Sequence, residues 1–148
     1  MVIKKVFKYK LVYWLTLAIT LLLAILFDFA SVNRITTKAF FNLKDLTFSL
    51  FIIIIAITSS LTFIFLIIKN TIAILAFRIT ITLIILSLTV GVLDSIFITK
   101  KFGNGSNTDY ILTPIVYLLL FGLLYLVHKT KYKVDYFYEL EEIGKHNN

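Results

Sequence analysis

"LTFSLFIIIIAITSSLTFIFLII" (residues 46–68) is followed, after Lys69 and Asn70, by "TIAILAFRITITLIILSLTVGVLDSIFIT" (residues 71–99). These two neighbouring runs decide the fold. A helix needs about 20 mainly apolar residues to cross the hydrocarbon core of a bilayer, and each run is that long or longer. The two-residue link leaves room for a tight reversal and nothing else. Spanning β-strands would show alternating segments of about 10 residues, whereas these runs are continuously apolar. The pair therefore predicts a helical hairpin across a membrane.

Two further apolar runs flank the hairpin, over residues 11–29 and 110–128. Together the four runs predict an all-α membrane protein, a four-transmembrane-helix bundle over residues 1–129, with residues 130–148 as a separate tail. The bulk numbers agree. Of 148 residues, 59% are hydrophobic and 16% charged, against roughly a quarter charged in soluble domains. The mean hydropathy is +0.95. A soluble chain of this size could not cover so much apolar surface. Cysteine is absent, which excludes disulfides, thiolate metal sites and a cysteine nucleophile.

The first run follows "MVIKKVFKYK", a basic start that also opens secretory signals. Its apolar core exceeds the usual ~7–15 residues of a signal peptide. Asp28 and Phe29 stand where small cleavage-site residues would be needed. It is read as a retained first helix.

Four spans place both termini on one side. That side carries Lys4, Lys5, Lys8, Lys10, Lys69, Lys129, Lys131 and Lys133; the other carries Arg34, Lys38, Lys44, Lys100 and Lys101. Short-loop lysine and arginine favour the cytoplasm, so both termini are expected there. The richness in Ile, Phe, Lys and Asn suggests a bacterial chain, which places it in the inner (plasma) membrane. The net charge of +7 suits an anionic lipid surface. The lysines hug the membrane edges without a folded basic domain, so no nucleic acid is expected as a partner.

Three segments lie outside the runs. In residues 31–45, Ile35, Ala39 and Leu43 recur at helical spacing beside a polar row of Arg34, Lys38 and Asn42. This reads as an interfacial amphipathic helix or as a plain loop. Residues 100–109, with two glycines and two asparagines, read as turns. In the tail, Tyr132, Tyr136, Leu140 and Ile143 suggest a helical extension ended by Gly144. Alternation of Tyr132, Val134, Tyr136 and Tyr138 leaves a strand as the competing reading.

Catalytic signatures are missing: no HExxH, phosphate loop, GxSxG or dinucleotide fingerprint. His128 and His146 have no acid or second histidine at ligand spacing, and no cofactor or metal is implied.

Helix contacts in lipid favour small and hydroxyl-bearing residues. Residues 71–99 carry Ser87, Gly91 and Ser95 four apart, extended backwards by Thr80 and Ala76 or Ala73. The first run has Thr16, Thr20 and Ala24; the second has Ser49, Ala56 and Ser60. The fourth offers Gly122, with Tyr117 and Tyr125 elsewhere on its surface. Asp28 and Asp94 each cap one of these stripes, and both are expected at the outer rim at one level. Two readings stand. Either they are rim carboxylates paired with Arg34, Lys38, Lys100 or Lys101, or together they hold a cation or proton, their repulsion favouring a retained proton. The corresponding functions are a small non-catalytic subunit, assembly factor or immunity-type partner of another membrane protein, and a homo-oligomeric transporter or channel using Asp28 and Asp94.

Overall fold

The computed structural model describes residues 6–37, 43–99 and 107–131. Among these residues four helices are long and apolar enough to cross a membrane. They are α1 (Lys10–Thr36), α2 (Leu43–Ile67), α3 (Ile72–Asp94) and α4 (Asn107–Thr130). A π-helical turn, Ser95–Thr99, continues α3. The chain is a four-helix, all-α, multi-pass membrane protein.

Helix α1 runs seven residues beyond the end expected at 29, so Ser31–Thr36 belong to a span and not to an interfacial helix. The reason is local. No glycine or proline interrupts the stretch, and its hydroxyls bond backwards into the helix. Ser31 donates to the Asp28 carbonyl at 2.8 Å. Thr36 and Thr37 donate to Asn33 at 3.0 and 2.7 Å. The remainder of that expected segment, residues 38–42, lies outside the described residues. So does the tail beyond Lys131, where a helical extension was expected.

The α2–α3 reversal is built as the two-residue link requires. The Asn70 amide donates to the Phe65 carbonyl at 2.9 Å, and the Lys69 amide donates to Leu66 at 3.0 Å. That is the six-to-one and five-to-two bond pair of a Schellman cap. Lys69 occupies its left-handed position with φ of 52°, a position that glycine normally takes. The Asn70 side-chain oxygen then accepts the Ile72 amide at 3.0 Å and starts α3.

Helix α2 packs between α1 and α3. The buried residues of α1 are Val12, Thr16, Thr20 and Ala24, the Thr16, Thr20 and Ala24 stripe read from the sequence with Val12 one turn before it. On α2, Ser49, Ile55, Ala56, Ser59, Thr62 and Leu66 are buried; on α3, Ala73, Phe77, Thr80, Ile81 and Ile84. Hydroxyls inside an apolar bundle need acceptors, and these supply their own. Thr16, Thr20, Thr62 and Thr80 each donate to the carbonyl four residues back. Ser59 donates to Ala56. Among the described residues no buried side-chain polar atom lacks a partner. Thr62 and Thr80 also meet each other at 3.2 Å, which fixes the α2–α3 register.

Both ends of the described chain meet at one end of the bundle. The Lys8 amide donates to the Thr130 carbonyl at 3.0 Å, and Phe7 bridges to Lys131. Val6 and Phe7 are buried in the same cluster as Val12, Leu66, Ala73, Phe77 and Val127. Val6, Phe7 and Lys8 thus form a strap that ties the start of α1 to the end of α4. At this end Tyr13 also donates to the Leu66 carbonyl at 3.0 Å.

Helix α4 is the loosely held member. It meets α3 at few points, among them the Thr89–Tyr117 hydroxyl pair at 2.8 Å. Only 6% of its membrane-spanning stretch is buried, against 28% for α2 and for α3. Pro114 removes one backbone donor from its first half.

Candidate functional site

Three polar features stand out on this frame. The first is a cavity of about 410 Å³ between α2 and α3 at the loop end, opposite the end where the termini meet. It is lined by Asp45, Thr47, Phe48, Phe51, Val90, Gly91 and Asp94. It lies beyond the stretch in which α2 and α3 are in buried contact. Towards the termini, α2 and α3 touch through Thr62, Thr80 and Phe77; towards the loops the buried face of α3 stops at Ile84. Ser87, Gly91, Asp94 and Ser95 follow along the same side of the helix and are half-buried.

This corrects the sequence reading of that stripe. Gly91 was expected to let two helices approach closely. In the structure a Cβ added at Gly91 meets nothing within 4 Å. Of the stripe, Gly91 lines the cavity, and the residues that α3 buries lie a few turns earlier: Ala73, Phe77, Thr80 and Ile81. Gly122 on α4 has equally open surroundings. Thr47, Asp94 and Ser95 are each held by a polar or electrostatic interaction, and the π-helical turn starts directly after Asp94. Single π turns recur at functional sites.

The second feature is Asp28, whose carboxylate accepts the Ser60 hydroxyl at 3.0 Å. This is a second correction. Asp28 does not line the cavity around Asp94. It meets α2 at Ser60, whereas Asp94 shares its cavity with Thr47. Those two positions of α2 are about 20 Å apart along the axis. The two acids were placed at one level because α1 was taken to end at its last apolar residues. With α1 running to Thr36, Asp28 lies two turns inside the helix. The Asp28–Ser60 bond lies within about 8 Å of the middle of both spans. Asp28 is a carboxylate at membrane depth, and its residue is exposed at the bundle surface.

The third feature is Arg78, on the outward side of α3. It lines a cavity of about 340 Å³ with Leu75, Ile79, Thr82 and Leu83. Arg34, expected as a partner for an acid, instead lies over the Phe48 ring at 5.5 Å. It ties the end of α1 to the start of α2 by a cation–π contact. Lys38, Lys100 and Lys101, the other expected partners, lie outside the described residues.

Sequence reasoning missed Asp45, Ser59 and Thr62. Asp45 had been read as part of a connecting segment, and its link to Asp94 depends on the α2–α3 register. Ser59 and Thr62 lie about 80° and 140° round the helix from Ser49, on the side of α2 that turns towards Thr80 of α3, so a single stripe through Ser49 and Ala56 does not reach them. Among the described residues no group of three histidines, cysteines or acids is placed to hold a metal.

Comparison with protein-family models, characterised proteins and solved structures finds no match to this chain.

Proposed function

We propose that this chain is a non-catalytic subunit, assembly factor or immunity-type partner of another membrane protein, held in a bacterial inner membrane with both termini cytoplasmic. The observation that carries this reading is the state of α4. Helix α4 packs Leu120, Leu124 and Val127 against the core, while Leu112, Ile115, Leu118, Leu119, Phe121 and Tyr125 leave a broad apolar surface exposed. Tyr117 and Phe121 stack at 6.5 Å, an aromatic ledge of the kind that anchors helix contacts. The strap at Phe7 fixes the base of α4 and leaves its upper turns to meet a second protein.

Extraction in a mild detergent, followed by mass analysis of co-purifying chains, tests the reading. The expected result is a different membrane protein that is retained by the native chain and lost when Leu118 and Leu119 are both changed to Ala. Recovery of this chain alone would contradict it. The transporter reading, in its form of one site shared by Asp28 and Asp94, is not supported by geometry that sets their contacts on α2 far apart.

A further inference from the structure

Asp28 and Arg78 are opposite charges on different faces of the same bundle. We propose that they pair between copies of this chain. The Asp28 carboxylate of one copy seats in the Arg78–Thr82 cavity of the next, giving a head-to-tail assembly within the membrane. This inference stands apart from the α4 contact, because it uses the surfaces of α1 and α3.

Depth is the first argument. The Thr62–Thr80 contact sets the antiparallel register of α2 and α3, so Ser60 is level with position 82. Asp28 is bonded to Ser60 and therefore lies at the level of Thr82. Arg78 is four residues away, about 6 Å along the axis, within the span of an arginine side chain. The cavity reaches from Leu75 to Leu83 and includes Thr82. Copies inserted with the same orientation keep the same depth, so the acid of one meets the cation of the other without any shift along the membrane normal.

Exposure is the second. At about 100° per residue, Leu75, Arg78, Ile79 and Thr82 fall on the side of α3 opposite Ala73, Phe77, Thr80 and Ile84. Asp28 sits beside the α1 stripe and faces outwards along the α1–α2 seam. Among the described residues the Arg78 side chain has no hydrogen-bond or ionic partner, and the carboxylate of Asp28 is engaged by Ser60 alone. Ionisable groups inside membrane spans pair with one another or face protein interiors. Each of these two has the chemistry the other lacks.

Symmetry is the third. Because the two patches differ, the contact is heterologous, and such contacts close into rings or extend as chains. A charged pair sets partner and register, and an isolated charge facing lipid disfavours the separate copies.

Reversal of the charges tests this in lipid nanodiscs by native mass measurement. D28R alone and R78D alone are each expected to lower the fraction of assembled copies at least tenfold. An equal mixture of the two variants is expected to regain assembly, because each reversed residue finds its complement on the other variant. In the native background, Ile25→Cys together with Ile79→Cys is expected to give a ladder of cross-linked copies with a short bis-maleimide, while neither single variant does. The cross-link keeps the test decisive if a reversed variant fails to insert. A monomeric native chain, single reversals that assemble normally, a mixture that stays apart, or absence of the ladder would each overturn the proposal. Normal assembly of R78D would assign Arg78 to lipid headgroups.

Discussion

The two ends of this bundle solve the same problem differently. At the end where the termini meet, side chains fill the space between helices: Phe77, Leu66, Val127 and Ala73 are fully buried, and Val6 and Phe7 close the base. At the loop end a cavity of about 410 Å³ lies between α2 and α3, with Asp45 and Asp94 in its wall. The residues at the loop end are smaller and more polar, yet they are less tightly packed. Small residues permit close approach in lipid but do not compel it. What draws the helices together is the shape filled by large side chains and the hydroxyl contact at Thr62 and Thr80.

The largest expected effect comes from opening the packed end. Phe77→Ala should destabilise the bundle by about 3 kcal/mol, the low side of large-to-small core changes, because lipid supplies part of the lost apolar environment. Unfolding in mixed micelles measures it, and a change below the error of that measurement would break the contrast. Loss of the strap should come next. Phe7→Ala removes a buried anchor and is expected to cost about 2 kcal/mol and to leave Val127 accessible. A cysteine placed at position 127 should then react with maleimide in the variant and stay protected without it.

Smaller effects sharpen the comparison by their sign. Lys69→Gly relieves a left-handed residue and should stabilise the α2–α3 hairpin by roughly 0.5–1 kcal/mol. Gly91→Ala should be neutral or stabilising by up to about 1 kcal/mol, since the new methyl enters open space and the helix gains propensity. If Gly91→Ala instead weakens the bundle, the loop end is packed after all. Thr62→Val should cost under about 1 kcal/mol. Thr80 keeps its own bond to the Ala76 carbonyl, and hydroxyl pairs between membrane helices average only about 0.6 kcal/mol.

The four spans and the Thr16, Thr20 and Ala24 stripe were legible in the sequence because apolar length and four-residue spacing act locally. So was the tight turn at Lys69 and Asn70. The end of α1 was misread because the apolar run stops at Asp28 and Phe29, and Ser31, Asn33, Arg34 and Thr36 were assigned to an interfacial helix or a loop. Inside a membrane helix the Ser31 and Thr36 side chains return to the backbone and prolong it. The relation of Asp28 to Asp94 was misread for a global reason. Each helix has its own depth, and the offset between α1 and α3 comes from side-chain contacts with α2 such as Ser60 and Thr80. No spacing within one helix records that offset. The strap had a faint signal, the apolar pair Val6 and Phe7 set among lysines, but its partner 120 residues away could not be read from it.

Because the chain has no cysteine, the asymmetry of the two ends can be measured directly. Single cysteines placed at Gly91 and at Ala73, in nanodiscs, can be followed by their rate of reaction with a small permeant maleimide. The cysteine at position 91, in the wall of the loop-end cavity, is expected to react at least tenfold faster than the one at position 73, under the packed end. Equal rates, or faster reaction at position 73, would contradict a bundle packed around Ala73 and open around Gly91.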